Sequence, residues 1–349
     1  MKHVAFVIQG KTFLKSMFPL VIFANSVGIH AHVFLYEMRQ GKPSDNINVE
    51  DVKQWAAQLQ LQNVSLYLVR NDDHVIEHAK RQKIDAIVCQ DITHHGPKFC
   101  QNCPRTFSIG VFFDSLHCAH RIHAGLNVDT VPTRLYLPDA RFENEFRRLV
   151  NDDRFSIASL GSPLYDHSIF VKQEKRDRPR VVFMTTLQSL VPKNVQTNLE
   201  KFMAFCNRQG IDLVVKSKKK TPWVFVDRAL TYSHVVKEAG FPYSSLSLML
   251  NSDLHISSYS TSAVEAEYFG LPCINLESVS NDKLIYAIDS IKNVYRFAGV
   301  FQSSTCRTIT SDFENHYQQL TSQQASANEV ITLESNNSLR ILRDMLEYL

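Results

Sequence analysis

The sequence constrains the path of the chain most tightly where a strand, a polar turn and a helix follow one another between residues 254 and 276. Residues 254–256 have the apolar character of a short buried strand, and the six residues that follow, 257–262, all carry a hydroxyl group. Residues 263–269 then predict a helix that Gly270 ends, and a second apolar run completes the segment. This order of elements is typical of an α/β domain with a parallel sheet.

The polar turn in this segment is a candidate ligand site, because ligands bind beyond the carboxyl ends of parallel strands. Free backbone N–H groups and the dipole at the start of the helix favour a phosphate. Ser260, Thr261 and Ser262 would add hydroxyl donors, and Glu265 could accept hydrogen bonds from a diol. The alternative is structural: Ser262 and Glu265 also have the spacing of a capping box, which needs no ligand.

Two segments resemble a known group of proteins. The run from Ser257 to Ile274, with Gly270 and Pro272, resembles the donor-nucleotide segment of GT-B glycosyltransferases. It is also similar to the same segment of UDP-N-acetylglucosamine 2-epimerases and of the glycerophosphotransferases of teichoic acid synthesis. Gly-Ser-Pro-x-x-Asp at 161–166 resembles the segment that closes the first domain in these proteins. The resemblance implies that the hydroxyl-rich turn holds the donor pyrophosphate and that the acidic residue of the helix binds the ribose.

Strands alternate with helices through both halves of the 349-residue chain, which is long enough for two domains. The charged segment 171–179, nearly free of hydrophobic residues, is the predicted linker. We therefore expect an α/β fold of two doubly wound Rossmann-like domains, the GT-B architecture, with an interdomain cleft. The resemblance assigns the acceptor to residues 1–170 and the nucleotide sugar to residues 180–332. A helix over residues 333–349 could pack back on the first domain.

The resemblance also implies a second group of donor-phosphate residues. Thr185 and Thr186 follow the first strand of the second half, and Lys216 ends the next one. A lysine suits a diphosphate electrostatically. The family often has His-Pro after this basic residue, whereas residues 217–220 here are Ser-Lys-Lys-Lys, which is also typical of a solvated loop.

Candidates for the catalytic base lie in the first half, on loops that follow strands. A general base must reach the acceptor hydroxyl, and Asp or His is the usual choice. Asp114 and His117 directly follow a strand predicted over residues 109–113, so we rank them first. His94 and His95 follow the preceding strand and are the other two candidates. A helix-capping role for Asp114 is equally compatible with the sequence.

Histidines and cysteines are concentrated between residues 94 and 123. Cys100 and Cys103, followed by His117 and His123, approach the spacing of a zinc site. The spacing is looser than in zinc fingers, and a strand is predicted between the two pairs. We therefore predict no metal and no cofactor, with a structural zinc site on this loop as the alternative.

Composition and charge exclude several classes of protein. The net charge of +3, from 38 basic and 35 acidic side chains, is too small to predict nucleic-acid binding. No apolar run approaches the roughly 20 residues that span a bilayer, and the apolar start is interrupted by Gly10, Lys11 and Lys15, unlike a signal peptide. Seven cysteines in a long chain argue against a secreted disulfide framework, so the expected location is cytoplasmic.

The leading hypothesis is a glycosyltransferase with metal-independent chemistry that serves surface polysaccharide or glycoconjugate synthesis. It would move a sugar from a UDP, GDP or CMP/CDP donor to a glycan or glycolipid acceptor, and peripheral contact with a membrane is compatible with this. A polyol-phosphate transferase and a sugar-nucleotide epimerase are alternatives on the same fold. An epimerase needs several acidic and basic groups in the first domain, which the sequence does not place. From another class, the alternative is a non-catalytic binding protein with a zinc-stabilised Cys/His loop.

Overall fold

The computed structural model describes residues 1–39, 42–43, 47–90, 92–103, 105–110, 112–185, 188, 191–216, 233–235, 244–257, 261–276, 306–309, 313–324 and 336–349. The chain divides into two compact units. The first unit consists of residues 1–167 and 333–349, and the second unit consists of residues 168–332.

The strands are short and most of them are apolar. Those of the first half are β1 (Lys2–Ile8), β2 (Ile29–Tyr36), β3 (Met38–Arg39), β4 (Lys42–Pro43), β5 (Val64–Val69), β6 (Ala86–Cys89), β7 (Thr106–Ile109), β8 (Arg134–Leu137) and β9 (Ile157–Ser159). Those of the second half are β10 (Arg180–Met184), β11 (Asp212–Lys216), β12 (Ser233–Val235), β13 (Leu254–Ser257), β14 (Cys273–Leu276) and β15 (Cys306–Ile309).

Most of the helices lie between strands in sequence, and the last two follow β15. The helices are α1 (Lys11–Ala24), α2 (Val49–Gln58), α3 (Asp72–Arg81), α4 (Gly96–Asn102), α5 (Phe112–His123), α6 (Ala140–Leu149), α7 (Lys193–Arg208), α8 (Ser244–Leu250), α9 (Thr261–Tyr268), α10 (Phe313–Gln324) and α11 (Asn337–Glu347). Short 3-10 helices cover Asn25–Val27 and Pro163–Ile169. Among the described residues, no helix combines the length and the apolar character that crossing a bilayer requires.

The first unit is built on a seven-stranded parallel sheet in the order β5-β2-β1-β6-β7-β8-β9. The last five residues of β1 are all buried. A continuous apolar run is what a parallel strand needs when helices cover both faces of its sheet. On one face, Phe34 and Val69 pack with Val75 of α3 and Phe99 of α4. Helix α11 packs on α1 within the same unit.

The second unit has a six-stranded parallel sheet in the order β12-β11-β10-β13-β14-β15. Its core lies between the sheet and helices α7 and α10. Phe183 of β10 and Ile256 of β13 pack there with Phe202 of α7 and Phe313 of α10. Two parallel sheets with crossover helices are the doubly wound architecture that the sequence predicted.

The prediction of a strand over residues 109–113 is wrong. Strand β7 ends at Ile109 and α5 already begins at Phe112, so Asp114 and His117 lie on a helix and do not directly follow a strand. The apolar residues around Gly110 suit the end of a buried strand and the first turn of a helix equally well, because a short apolar run has no distinctive period. The side chains of Asp114 and His117 lie outside the described part of the structure.

Candidate functional site

The order of strands in the second sheet locates a ligand crevice. From β10 the chain passes to β11 on one side, and it later returns to β13 on the other side of β10. The strand order therefore reverses between β10 and β13, which pair in parallel with Val181 opposite Leu254. In open α/β sheets, ligands bind outside the carboxyl ends of the strands at such a point.

Helix α9 begins beside this point, and buried side chains fix its first turn. The hydroxyl of Ser262 lies 3.0 Å from the hydroxyl of Ser257 and 3.1 Å from Nε2 of His255. Ser257 and His255 belong to β13, and all three residues are buried. Burial lowers the pKa of His255 to about 3, so this imidazole is neutral at physiological pH. The first turn of α9 is therefore tied to the carboxyl end of β13.

The capping-box alternative differs from what the structure shows at Ser262. Helix α9 starts at Thr261, so Ser262 is the second helical residue and not the N-cap. Its hydroxyl contacts the strand beneath it, as the two distances above show. The local pattern could not reveal this, because the partner His255 comes from the preceding strand and not from the helix. Glu265 lies one turn further along α9 and is partly exposed.

Two other residues predicted to bind the donor phosphates contact each other at the ends of β10 and β11. The backbone N–H of Thr185 donates to the carbonyl of Lys216 over 3.1 Å. Thr185 is buried, whereas Lys216 is partly exposed at the carboxyl end of its strand. Both residues and the start of α9 thus lie at the same edge of one sheet. Thr186 and Ser260 lie outside the described residues, as does the side chain of Thr261.

The first sheet reverses its strand order in the same way, between β1 and β6. Three residues that follow or end neighbouring strands meet near this edge. Asp72 begins α3 after β5, and one of its carboxylate oxygens lies 2.8 Å from Nδ1 of His95, which precedes α4. The hydroxyl of Tyr36, the last residue of β2, donates to the same carboxylate. Of these three, the sequence had indicated only His95.

The charges in this group follow from its contacts. Burial alone would raise the pKa of Asp72, but hydrogen bonds from His95 and Tyr36 and the nearby charges hold it below its usual value. Burial and the neighbouring carboxylate raise the pKa of Tyr36, so its hydroxyl stays protonated. The ionised carboxylate therefore favours the tautomer of His95 that carries a proton on Nδ1, which leaves the lone pair of the neutral ring on Nε2.

The cysteines of the suspected zinc loop are separate thiols. Burial raises the pKa of Cys100 and of Cys103 to about 11. His123 makes a hydrogen bond through Nδ1 to the carbonyl of Leu149 over 3.1 Å. Among the described side chains, no three His, Cys, Asp or Glu residues come close enough together to hold a metal ion. The side chain of His117 lies outside that part of the structure.

No protein-family model and no curated protein sequence matches the chain. Solved structures do match it over nearly its whole length. The UDP-GlcNAc 2-epimerase from Methanocaldococcus jannaschii matches with a TM-score of 0.65 at 11% identity, over 99% of this chain and 100% of that one. A putative UDP-N-acetylglucosamine 2-epimerase from Listeria monocytogenes matches with a TM-score of 0.61 at 10% identity, over 99% and 96%.

A glycosyltransferase is among the similar structures as well. The glycotransferase of kitacinnamycin matches with a TM-score of 0.58 at 12% identity, over 99% of this chain and 98% of that one. At these identities the similarity concerns the fold. The chain has the two-domain Rossmann-like fold that UDP-GlcNAc 2-epimerases share with GT-B glycosyltransferases, and the predicted fold class is confirmed.

Proposed function

We propose that this protein is a glycosyltransferase that uses a nucleotide-activated sugar, with the donor bound by the second unit and the acceptor by the first. The observation that carries the proposal is the start of α9. Ser262 ties it to His255 and Ser257 beside the point where the strand order reverses. Fixed backbone N–H groups at a helix start, with the helix dipole behind them, bind a phosphate well.

The predicted donor residues take distinct roles in this proposal. Thr261, the first residue of α9, would donate a hydroxyl hydrogen bond to the diphosphate, together with Ser260 and Thr186. Lys216 would stabilise the negative charge that develops on the leaving diphosphate. Its charge would already be in place before the reaction, so no solvent would have to reorient. Glu265 would accept hydrogen bonds from the ribose hydroxyls.

Two of the residues predicted to bind the nucleotide-sugar donor act indirectly in this proposal. Ser262 is buried and its hydroxyl contacts the strand, so we assign it the task of positioning the helix start. Thr185 is buried too and holds the end of β10 against Lys216. Both residues would set where the phosphate-binding groups lie without contacting the donor themselves.

The nucleotide to test first is a uridine diphosphate. The epimerase from Methanocaldococcus jannaschii has also been solved in complex with UDP-GlcNAc and UDP, and this structure matches the chain with a TM-score of 0.59 at 12% identity, over 99% of this chain and 100% of that one. Because the similarity concerns the fold, it serves to choose the nucleotide that is tested first. GDP and CMP/CDP are tested after UDP.

His95 becomes the first candidate for the catalytic base in the first unit. Asp72 holds its Nδ1 at 2.8 Å, which orients the ring so that Nε2 can accept the proton of an acceptor hydroxyl. An ionised partner also stabilises the imidazolium that forms when the proton is taken. Asp114 and His117 remain candidates from their place on α5, with the acceptor near the start of that helix.

A sugar-nucleotide epimerase is the second candidate function. The specific observation in its favour is the contact between Asp72 and His95, since an epimerase needs acidic and basic groups in the first domain. Inversion at a carbon by removal and return of a proton would exchange that proton with solvent. A transferase would instead release the nucleotide only when an acceptor is present.

Thermal melting with UDP, GDP, CMP and CDP tests the donor site. The expected result is that UDP raises the melting temperature of the wild type, because a ligand that binds only the folded state stabilises it. The Lys216→Ala variant should lose most of this shift, whereas Lys201→Ala, at an exposed position on α7, should keep it. If none of the nucleotides raises the melting temperature, the proposal is wrong.

Incubation with UDP-GlcNAc in deuterated water separates the two enzymes. Deuterium in the recovered sugar without an acceptor indicates the epimerase. Release of UDP only after a mixture of glycans is added indicates the transferase. UDP binding with neither reaction would favour a non-catalytic binding protein.

A further inference from the structure

Gln90 is a buried glutamine whose amide makes no hydrogen bond to the residues that the structure describes. It is the first residue after β6, and only 4% of its surface is exposed. Neither the amide nitrogen nor the amide oxygen has a hydrogen-bond partner in the described part of the chain. Since buried polar groups are nearly always paired, an amide with both ends unpaired calls for a ligand or a bound water.

The position of Gln90 in the sheet favours a ligand. Strand β6 pairs with β1 in parallel, with Val88 opposite Phe6. Continued by two residues, this register brings Gln90 level with Ile8, the last residue of β1. The strand order of the first sheet reverses between these two strands. Gln90 therefore lies at the carboxyl edge where an open α/β sheet binds its ligand.

Other polar side chains form hydrogen bonds with one another at this edge of the sheet. Gln9, the first residue after β1, is 5% exposed and makes a side-chain hydrogen bond to Tyr36. Tyr36 donates in turn to Asp72, which holds His95. A chain of four buried or partly buried polar side chains thus ends beside the same reversal of strand order. Gln90 belongs to the same edge but takes no part in this chain.

The chemistry of the amide indicates the class of ligand. A primary amide carries no charge and offers two N–H donors and one carbonyl acceptor. It therefore matches a hydroxyl group or a pair of neighbouring hydroxyls, each of which can both donate and accept. A phosphate would instead favour a cationic side chain or a helix start. Gln9 adds a second uncharged amide at this edge.

We propose that Gln90 is a sugar-binding residue, and that its amide forms hydrogen bonds with hydroxyl groups of a neutral saccharide held at the carboxyl edge of the first sheet between β1 and β6. The identification of that saccharide as the acceptor rests on the proposed function. The site itself rests on the unpaired amide and on the order of the strands.

Gln90→Leu tests the proposal, because leucine fills a similar volume and removes both polar atoms. Without ligand, Gln90→Leu should melt above the wild type, since it no longer buries an unpaired amide. The matched control is Gln54→Leu, which changes an exposed glutamine on α2. If Gln90→Leu folds but melts at a lower temperature than Gln54→Leu, the amide has a structural partner and the proposal is overturned.

The ligand arm uses methyl glycosides of glucose, galactose and N-acetylglucosamine as probes, titrated into the full-length protein and followed by thermal melting. Sugars stabilise any protein by exclusion from its surface, and the control variant measures that general effect. At least one glycoside should bind the wild type and Gln54→Leu about tenfold or more tightly than Gln90→Leu. Equal shifts in all three proteins would indicate a bound water only, and this result overturns the proposal.

A further variant and a measurement with UDP complete the experiment. Gln90→Asn retains the amide but withdraws it by one methylene, so it should also weaken the glycoside response, which covers the case in which Gln90→Leu does not fold. The UDP shift is measured in the same samples and should be unchanged by every Gln90 variant. If UDP shifts none of the proteins but a glycoside still distinguishes Gln90→Leu from the control, the donor assignment fails while the saccharide site stands.

Discussion

The carboxylate of Asp166 accepts hydrogen bonds from the backbone N–H groups of Asn337 and Ser338, at 3.0 and 2.6 Å, across 171 and 172 residues of sequence. These two N–H groups belong to the first turn of α11, where no carbonyl of the helix can pair them. A negative charge there also interacts favourably with the positive end of the helix dipole. The last helix of the chain is therefore capped by a residue from the 3-10 helix that follows β9.

Replacement of Asp166 with alanine should lower the free energy of unfolding by about 2–3 kcal/mol, since it removes a cap and leaves buried N–H groups unpaired. Urea denaturation measures this loss. The control is Asp139→Ala, which removes the cap of α6, where water can replace the carboxylate. That change should cost about 1 kcal/mol. Equal losses in the two variants would mean that burial adds nothing to the Asp166 contact.

Gly161 lies beneath the same helix and has a φ of +93°. A Cβ at this position would lie 2.1 Å from Oδ1 of Asn337, so alanine would be strained twice, by its backbone and by this overlap. Gly161→Ala should therefore destabilise the protein more than Gly125→Ala, whose φ is +99° but whose Cβ would meet nothing within 4 Å.

A double-mutant cycle by urea denaturation separates the two effects at Gly161. The addition of Asn337→Ala should remove most of the extra loss at Gly161, because Oδ1 and Cγ of Asn337 are then absent and only its Cβ, 3.0 Å from the new methyl group, stays close. If the loss at Gly161 persists in full without the Asn337 side chain, the overlap is not its cause.

Stability should fall as the pH is lowered below about 6.5, because several histidines are buried as neutral rings. Burial, helped by neighbouring histidines, lowers the pKa of His32 to about 4, and burial lowers those of His167 and His255 to about 4 and about 3. In the unfolded chain these rings take up protons near pH 6.5, whereas in the folded protein they do so only near pH 3–4. The unfolded state thus binds more protons in this window, and stability rises with pH across it.

Urea denaturation at several pH values between 4.5 and 7.5 would measure this slope, to which each histidine adds at most about 1.4 kcal/mol per pH unit. The His255→Asn variant should give a shallower slope than the wild type, whatever its stability at neutral pH. An identical slope in the two proteins would show that His255 is not buried as a neutral ring.

The sequence predicted the parts of the fold that depend on local pattern. Buried apolar runs such as β1, and helices that end at a glycine such as α9, are visible because burial and chain reversal act on neighbouring residues. The contact between Asp72 and His95 was missed, since 23 residues separate them and only the order of the strands brings their loops together. Gln90 was missed for the same reason. An amide after a strand has no pattern of its own until the neighbouring strand is known.

Asp72→Asn should slow catalysis without much effect on nucleotide binding. An amide cannot supply the charge that fixes the proton on Nδ1 of His95, so the base would lose its orientation. We expect kcat to fall by about 10²-fold or more. Asp73→Asn is the control, because Asp73 is exposed and pairs with Lys98 at 2.8 Å. Similar rates for both variants would remove His95 from the mechanism.

Glu265 and Ser262 lie on the same helix, and their variants should separate ligand binding from support of the helix. A charged carboxylate makes stronger hydrogen bonds to a ribose than an amide does. Glu265→Gln should therefore weaken UDP binding by about 1–2 kcal/mol, or about 5- to 30-fold, and change the melting temperature of the free protein little. Calorimetry with UDP measures the affinity, and melting without ligand measures the stability.

Ser262→Ala should behave in the opposite order. It leaves His255 and Ser257 without their shared hydroxyl, so the free protein should lose about 1–2 kcal/mol of stability. UDP binding should weaken only as far as the start of α9 loosens, which makes the loss of affinity smaller than for Glu265→Gln. If instead Glu265→Gln lowers the stability of the free protein and leaves UDP affinity unchanged, then Glu265 supports the helix, and the ribose assignment at this site fails.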